Sequence, residues 1–150
     1  MNSWFTDRVR PIAGFPGVGK TTAAKVFNYS DSDSTQFSRW KNQRHPDWPG
    51  NYIRHIQDLS GIVFISTHPE VRSALVKEQI PYLLVYPERD CKAVYLERFK
   101  NRGSPEAFIT LLDDFWDEWI TALDEDSYAF ARIVLQSTDY VSEVINKLQI

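Results

Sequence analysis

The chain has one cysteine, Cys91, in 150 residues. A lone thiol closes no internal disulfide and rules out a zinc site built on several thiolates. Lying inside an expected helix, it reads as a small hydrophobe rather than a nucleophile. Long hydrophobic runs are also missing. None reaches the length that spans a bilayer, and the first residues lack the basic-then-apolar pattern of a secretory leader. The expectation is a cytoplasmic protein with no membrane partner. An excess of positive charge is absent too, since 17 Lys and Arg stand against 20 Asp and Glu, a net charge of -3. That balance argues against a protein that coats nucleic acid non-specifically. There are no repeats, low-complexity tracts or long linkers, so residues 1–150 read as a single domain. With 43% hydrophobic residues, it can bury a real core.

What is present alternates between strand and helix patterns. Arg8 to Ala13 reads as a strand entering a glycine-rich turn, Gly19 to Asn28 as a helix, and Tyr29 to Asp33 as a short extended piece. Ser34 to Asn51 carries Pro46, Pro49 and Gly50 and reads as irregular, followed by a helix over Tyr52 to Leu59. Gly61 to Ser66 (GIVFIS) and Pro81 to Tyr86 (PYLLVY) are continuous apolar runs, as in a parallel strand covered on both faces. Helices are expected at Pro69 to Gln79 and at Glu88 to Arg102, the second stopped by Gly103. Ser104 is the expected N-cap of a helix running to about Asp124, which should bury Phe108, Leu111, Leu112, Phe115 and Trp119. The acids Asp113, Asp114, Asp117 and Glu118 read as its wet face. Ala131 to Gln136 is the last strand and Tyr140 to Leu148 the last helix. This alternation predicts an α/β fold with a parallel sheet.

The segment Gly14-Phe15-Pro16-Gly17-Val18-Gly19-Lys20-Thr21 satisfies G-x-x-x-x-G-K-[ST] at every fixed position, between an expected strand and an expected helix. Its glycines let backbone N–H groups turn inward around a phosphate, and the helix start adds a positive dipole end. Gly14, Pro16, Gly17, Val18, Gly19, Lys20, Thr21 and Thr22 form the expected nucleotide-binding set. Lys20 is expected to reach the β and γ phosphates of ATP, and the Thr21 hydroxyl to ligate Mg2+.

Asp31-Ser32-Asp33-Ser34 should end the second strand beside this loop, where ligands of open parallel sheets sit. Asp33 is the first choice for holding magnesium or accepting a proton from an attacking hydroxyl, and Asp31 the second. A solvated turn of the usual Asp and Ser composition is the bland alternative.

From Gln36 to Gln57, Arg39, Lys41, Arg44 and Arg54 stand against Asp47 alone, a local charge of +3 in an acidic chain. Trp40, Trp48, Tyr52, His45 and His55 share the stretch. Guanidinium groups grip phosphates and aromatic faces stack on bases, so Arg39, Arg44 and Arg54 are candidate ligands of a phosphorylated acceptor. A solvated arm is the alternative.

The third strand ends Ile65-Ser66-Thr67-His68 without an acid, which shifts weight to Asp31 and Asp33 for the metal. Ser66 and His68 stay open as participants, and Arg72, one turn into the next helix, is a further substrate-binding candidate. Arg98 and Arg102 share a helix face just before Gly103-Ser104-Pro105. They suit a short lid at about 98–106 that neutralises charge on a transferring phosphoryl group.

Taken together, these residues resemble the small P-loop kinases grouped with nucleoside monophosphate, shikimate and gluconate kinases. Gly14 to Thr21 carries the phosphate loop. Asp31-Ser32-Asp33-Ser34 looks like the D-x-D turn of shikimate-type kinases, and Ser66 to Arg72 like the serine-ended third strand of gluconate-type kinases. The chain also resembles small kinase-like proteins of bacteriophages and Gram-positive bacteria, often labelled nucleotide kinases. The resemblance implies a three-layer fold with a five-stranded parallel sheet in the order 2-3-1-4-5 and helices on both faces. It also implies transfer of the γ-phosphate of ATP to a small acceptor, a nucleoside or deoxynucleoside monophosphate first. The adenylate-kinase substrate signature is absent. A kinase acting on a polynucleotide end or a modified base in DNA is one alternative, with nucleic acid the less favoured partner. A nucleotide-dependent binding or regulatory protein with feeble turnover is the other.

Overall fold

The computed structural model describes residues 3–145. Regular structure begins with β1 (Val9–Gly14), α1 (Lys20–Phe27) and β2 (Ser30–Asp31). A short helix α2 (Thr35–Ser38), the strands β3 (Arg39–Trp40) and β4 (Gln43–Arg44), and α3 (Gly50–Gln57) follow. Then come β5 (Gly61–Ile65), α4 (Pro69–Lys77), β6 (Leu83–Pro87), a single 3-10 turn at Arg89–Cys91 and α5 (Lys92–Asn101). The long α6 (Glu106–Asp124), β7 (Ala131–Leu135) and α7 (Val141–Ile145) complete it. The expected continuation of α7 to Leu148 lies outside the described residues.

The main sheet has five parallel strands in the order β2-β5-β1-β6-β7. This numbering replaces the expected 2-3-1-4-5. Two short strands that sequence reading left irregular, β3 and β4, intervene in the chain and pair antiparallel in a separate hairpin. Consecutive residues Ile62 to Ile65 are all buried, as are Leu83 to Pro87. Successive strand side chains point to opposite faces, so both faces of the sheet are covered at its centre. Carboxyl ends of β1, β2 and β5 bring Gly14, Asp31 and Ser66 to one rim.

Two local expectations are corrected. Ser104 makes no side-chain cap; Pro105 occupies the position before α6, and the Ser104 N–H instead closes α5 on Phe99 O at 3.0 Å. On α6 the buried residues are Leu112, Trp116, Ile120 and Leu123. Leu111 and Phe115, expected in the core, are 45% and 39% exposed. This helix is apolar around more than one stripe, and aromatic Trp116, sealed by its Nε1–H bond to Arg89 O at 2.9 Å, turns the next stripe round outward. Cys91 is 1% exposed, and burial raises its thiol pKa, which suits the inert role expected of it.

Candidate functional site

The glycine-rich loop joins β1 to α1 and is fixed by its glycines. Gly17 and Gly19 have φ of 89° and 92°, a left-handed conformation that strains any residue with a Cβ. A Cβ on Gly17 would also lie 3.0 Å from the Tyr95 ring, and one on Gly14 only 2.8 Å from Lys20 Cδ. The Phe15 N–H donates to Val85 O at 2.9 Å and the Val141 N–H to Val18 O at 2.9 Å, so β6 and α7 brace the loop from outside. The Ala23 N–H makes the first bond of α1, to Gly19 O at 3.0 Å. The N–H groups of Lys20, Thr21 and Thr22 precede it at the helix start, where intrahelical partners do not exist.

Lys20 folds back over this loop, its Nζ donating to Gly14 O at 2.7 Å. Burial lowers its pKa from 10.5 to about 8, against the attraction of Asp31 and Asp33 and with a push from Arg102. All three charges therefore stand around the lysine. The ammonium is held poor in water and is bonded to Gly14 O rather than to either carboxylate.

The two acids of the following turn separate in role. Thr21 Oγ1 donates to Asp31 Oδ2 at 3.1 Å. Asp33 Oδ1 accepts the Thr35 N–H at 2.9 Å and the Thr35 hydroxyl at 2.8 Å, which anchors the start of α2. Thr21, expected to share the metal with Asp33, is bonded to Asp31, the second choice among the two acids. The turn is clamped from below: the Tyr52 hydroxyl, fully buried, donates to Ser32 O at 2.7 Å, and the Ser32 N–H donates to Phe64 O at 3.0 Å. Among the described residues, no group of three or more His, Cys, Asp or Glu side chains gathers into a metal cage. A hydroxyl beside one carboxylate is the sparse oxygen set that suits Mg2+ when phosphates and waters complete its shell.

Next to Lys20 a cavity of about 360 Å³ opens between the loop, the end of β5 and α6. Lys20, Ser66 and His68 mark one wall, and Phe108, Leu111 and Trp119 another. The His68 ring stands 2.8 Å from Ser66 Oγ through Nδ1. Burial lowers the His68 pKa, with Glu70 opposing and Lys20 reinforcing that shift, so the ring is neutral at physiological pH. A hollow of about 530 Å³ beside Leu75, Tyr82 and Phe130 shares no residue with the loop.

The predicted arginines are scattered rather than gathered. Arg72 does line the cavity, but it is committed: Nε donates to Thr67 O at 2.9 Å and Nη1 to buried Asp126 at 3.0 Å. Burial would raise the Asp126 pKa, but hydrogen bonds from Tyr82, Tyr128, Arg72 and Ala129 outweigh it and hold the carboxyl low. Arg98 donates to Gly17 O at 3.2 Å and to Ser137 O at 2.8 Å, wedged between the rings of Tyr95 and Tyr140. It clasps the loop from outside, whereas Arg102 is exposed, lies over the Phe99 ring and is felt electrostatically by Lys20. The expected lid reduces to the end of α5 and the four-residue turn Arg102 to Pro105.

In the basic stretch, Arg39 faces Arg44 across the β3–β4 hairpin, both exposed. Arg54 pairs with Asp47 at 2.8 Å at the surface. None of the three lines the cavity. Trp48 and Tyr52 belong to the core, and only Trp40 presents its ring outward, at 56% exposure with Lys41 over it. What sequence reading missed is the wall made by α6. Its signal was present in the excess of large apolar residues, more than one buried stripe can hold.

No family profile matches the chain, and no curated protein matches it. Among solved structures, the chain is similar to the crystal structure of an uncharacterized protein from Eubacterium ventriosum ATCC 27560. The TM-score is 0.53 at 13% identity, covering 95% of this chain and 98% of that one. Likeness at that level establishes a shared α/β fold.

Proposed function

We propose that the protein is a P-loop kinase that binds ATP and magnesium at Gly14 to Thr22 and transfers the γ-phosphate to a small acceptor. The observation that carries this reading is the β1–α1 loop, with left-handed Gly17 and Gly19 and the half-buried Lys20 at the helix start. A triphosphate laid in this loop would meet the free N–H groups of Lys20, Thr21 and Thr22 and restore the charge of Lys20. Thr21 and Asp31 would hold Mg2+, which neutralises charge on the phosphates when bound.

In the transfer step, an acceptor oxygen bonds to the γ-phosphorus as the bond from that phosphorus to the β-phosphate oxygen breaks. ADP leaves with the electron pair, and the hydroxyl proton passes to Asp33. Its Oδ1 is tied to Thr35, while Oδ2 makes no hydrogen bond among the described residues. Arg102, exposed and close enough to influence Lys20, adds positive charge over the transferring group. Arg98 fixes the loop instead.

A nucleoside monophosphate acceptor would call for cations on the cavity wall, and Arg39, Arg44 and Arg54 are not there. Their exposure together with Trp40 favours a second reading, in which the hairpin grips the backbone of a polynucleotide acceptor. Measuring ADP release with small hydroxyl compounds, nucleoside monophosphates and oligonucleotides separates these. Turnover stimulated by a small acceptor supports the first reading, stimulation by oligonucleotides alone supports the second, and no ATP turnover with any acceptor removes both.

A further inference from the structure

The outward stripe of α6 is only partly covered: Phe108 and Trp119 pack half-buried against the core, while Leu111 and Phe115 are left exposed. Phe108, Leu111, Phe115 and Trp119 follow at spacings of three and four, so they share one side of the helix. Leu111 and Phe115 are 45% and 39% exposed, and Phe115 stacks on Trp119 with ring centroids 6.1 Å apart. Phe108, Leu111 and Trp119 reach the cavity beside Lys20, where Phe15 and Pro16 of the glycine-rich loop meet them. Large apolar groups so placed, against a cavity of about 360 Å³, match the size and lining of a small-molecule site.

The charges on the cavity wall narrow what can enter. Among the described residues, Lys20 and Arg72 are its only Lys or Arg, and no Asp or Glu lines it. Lys20 is bonded to Gly14 O and, in the proposed function, serves the triphosphate. Arg72 is spent on Thr67 O and Asp126. A phosphate entering here would lose its water with no uncommitted cation to replace it, which is costly. An apolar ring would instead cover the stripe of α6.

We infer that this cavity receives the acceptor by an uncharged, apolar or aromatic body that carries the attacking hydroxyl, and not by a phosphate. The inference rests on the kinase reading above and names the substrate class of that same site. The hydroxyl points to the polar end at Ser66, His68 and Lys20, and the body lies along Phe108, Leu111 and Trp119. Its oxygen forms the new bond to the γ-phosphorus, ADP departs with the electron pair, and the proton leaves towards Asp33, which adjoins the cavity through Thr35 on its wall.

The test is calorimetric titration in the presence of magnesium and a saturating non-hydrolysable ATP analogue, using matched pairs. These are thymidine with its 5′-monophosphate, and benzyl alcohol with benzyl phosphate. The uncharged member of each pair is expected to bind, with the phosphate at least about ten-fold weaker. Trp119→Ala should weaken the uncharged member about ten-fold or more and leave affinity for the ATP analogue unchanged; that unchanged affinity also reports a folded protein. Phosphates binding as well as or better than their uncharged partners would overturn the inference. So would an unaltered affinity in Trp119→Ala, or no binding of either uncharged probe at millimolar concentration. Failure of the wild-type protein to bind the ATP analogue is a separate result that refutes the kinase reading, and the matched pairs can still be titrated without nucleotide.

Discussion

Lys20 has its charge disfavoured before any ligand arrives, and that has a measurable consequence. Its pKa is near 8 in the free protein and would rise once a triphosphate lies beside it. Nucleotide affinity should therefore be flat below pH 7 and fall about ten-fold between pH 7 and pH 9, with proton uptake on binding rising from near zero towards one across that window. Calorimetry in buffers of different ionisation enthalpy reads that proton. The same shift has a sign for stability. The unfolded chain keeps the lysine proton up to about 10.5, so stability from this residue rises with pH between about 8 and 10.5 and is lowest below that. Lys20→Met should accordingly be no less stable than wild type at neutral pH in thermal melts. The two acids make a second contrast. Asp31→Asn should raise the magnesium requirement for turnover. Asp33→Asn should cut turnover about 10²–10⁴-fold, the usual worth of a positioned base, at unchanged affinity for ATP. A silent Asp33→Asn together with an inactive His68→Gln would transfer the proton to His68.

At the scale of elements, two supports of the site are separable from its chemistry. Tyr52 belongs to α3 yet its hydroxyl holds Ser32 O between the two acids. Tyr52→Phe leaves the core filled, so stability should fall by only about 1 kcal/mol. Turnover should drop by more than that loss implies, because the acidic turn loses its anchor; equal losses in both would make Tyr52 a core residue and nothing more. The Arg72–Asp126 pair joins α4 to the chain just beyond α6, with side chains 12% and 3% exposed. Asp126→Ala would leave Arg72 buried without its counter-charge, a defect worth about 3–5 kcal/mol in denaturant unfolding. Asp126 is held below its ordinary pKa. Its contribution is therefore present above about pH 3.8 and lost as pH falls through the lower, folded-state value.

Across the whole molecule, sequence legibility followed how local each cause was. The glycine-rich loop could be read because every requirement, from Gly14 to Thr21, lies within eight consecutive positions. The central strands could be read because burial on both faces leaves an unbroken apolar run, as in Gly61 to Ile65. Partners distant in sequence could not. Nothing near Arg72 announces Asp126, fifty-four residues on, and nothing near Arg98 announces Gly17 or Ser137. The buried side of α6 was misjudged at Leu111 and Phe115, whose helical spacing with Phe108 and Trp119 is as good as that of Leu112, Trp116, Ile120 and Leu123. Periodicity tells that a stripe exists, and only packing tells which stripe meets the sheet. Between the acids, Asp33 and Asp31 look alike in sequence, and it was the ending of β2 at Asp31, beside α1, that set Asp31 against Thr21.

The central claim, that Gly14 to Thr22 holds ATP, is tested most directly by titrating Mg-ATP into the wild-type protein and into Lys20→Ala by calorimetry, with a thermal melt of each. The account predicts one ATP bound per wild-type chain, affinity at least about ten-fold weaker in Lys20→Ala, and melting of the variant no lower than that of wild type. No ATP bound by the wild-type protein, or equal affinity in a folded Lys20→Ala protein, would contradict it.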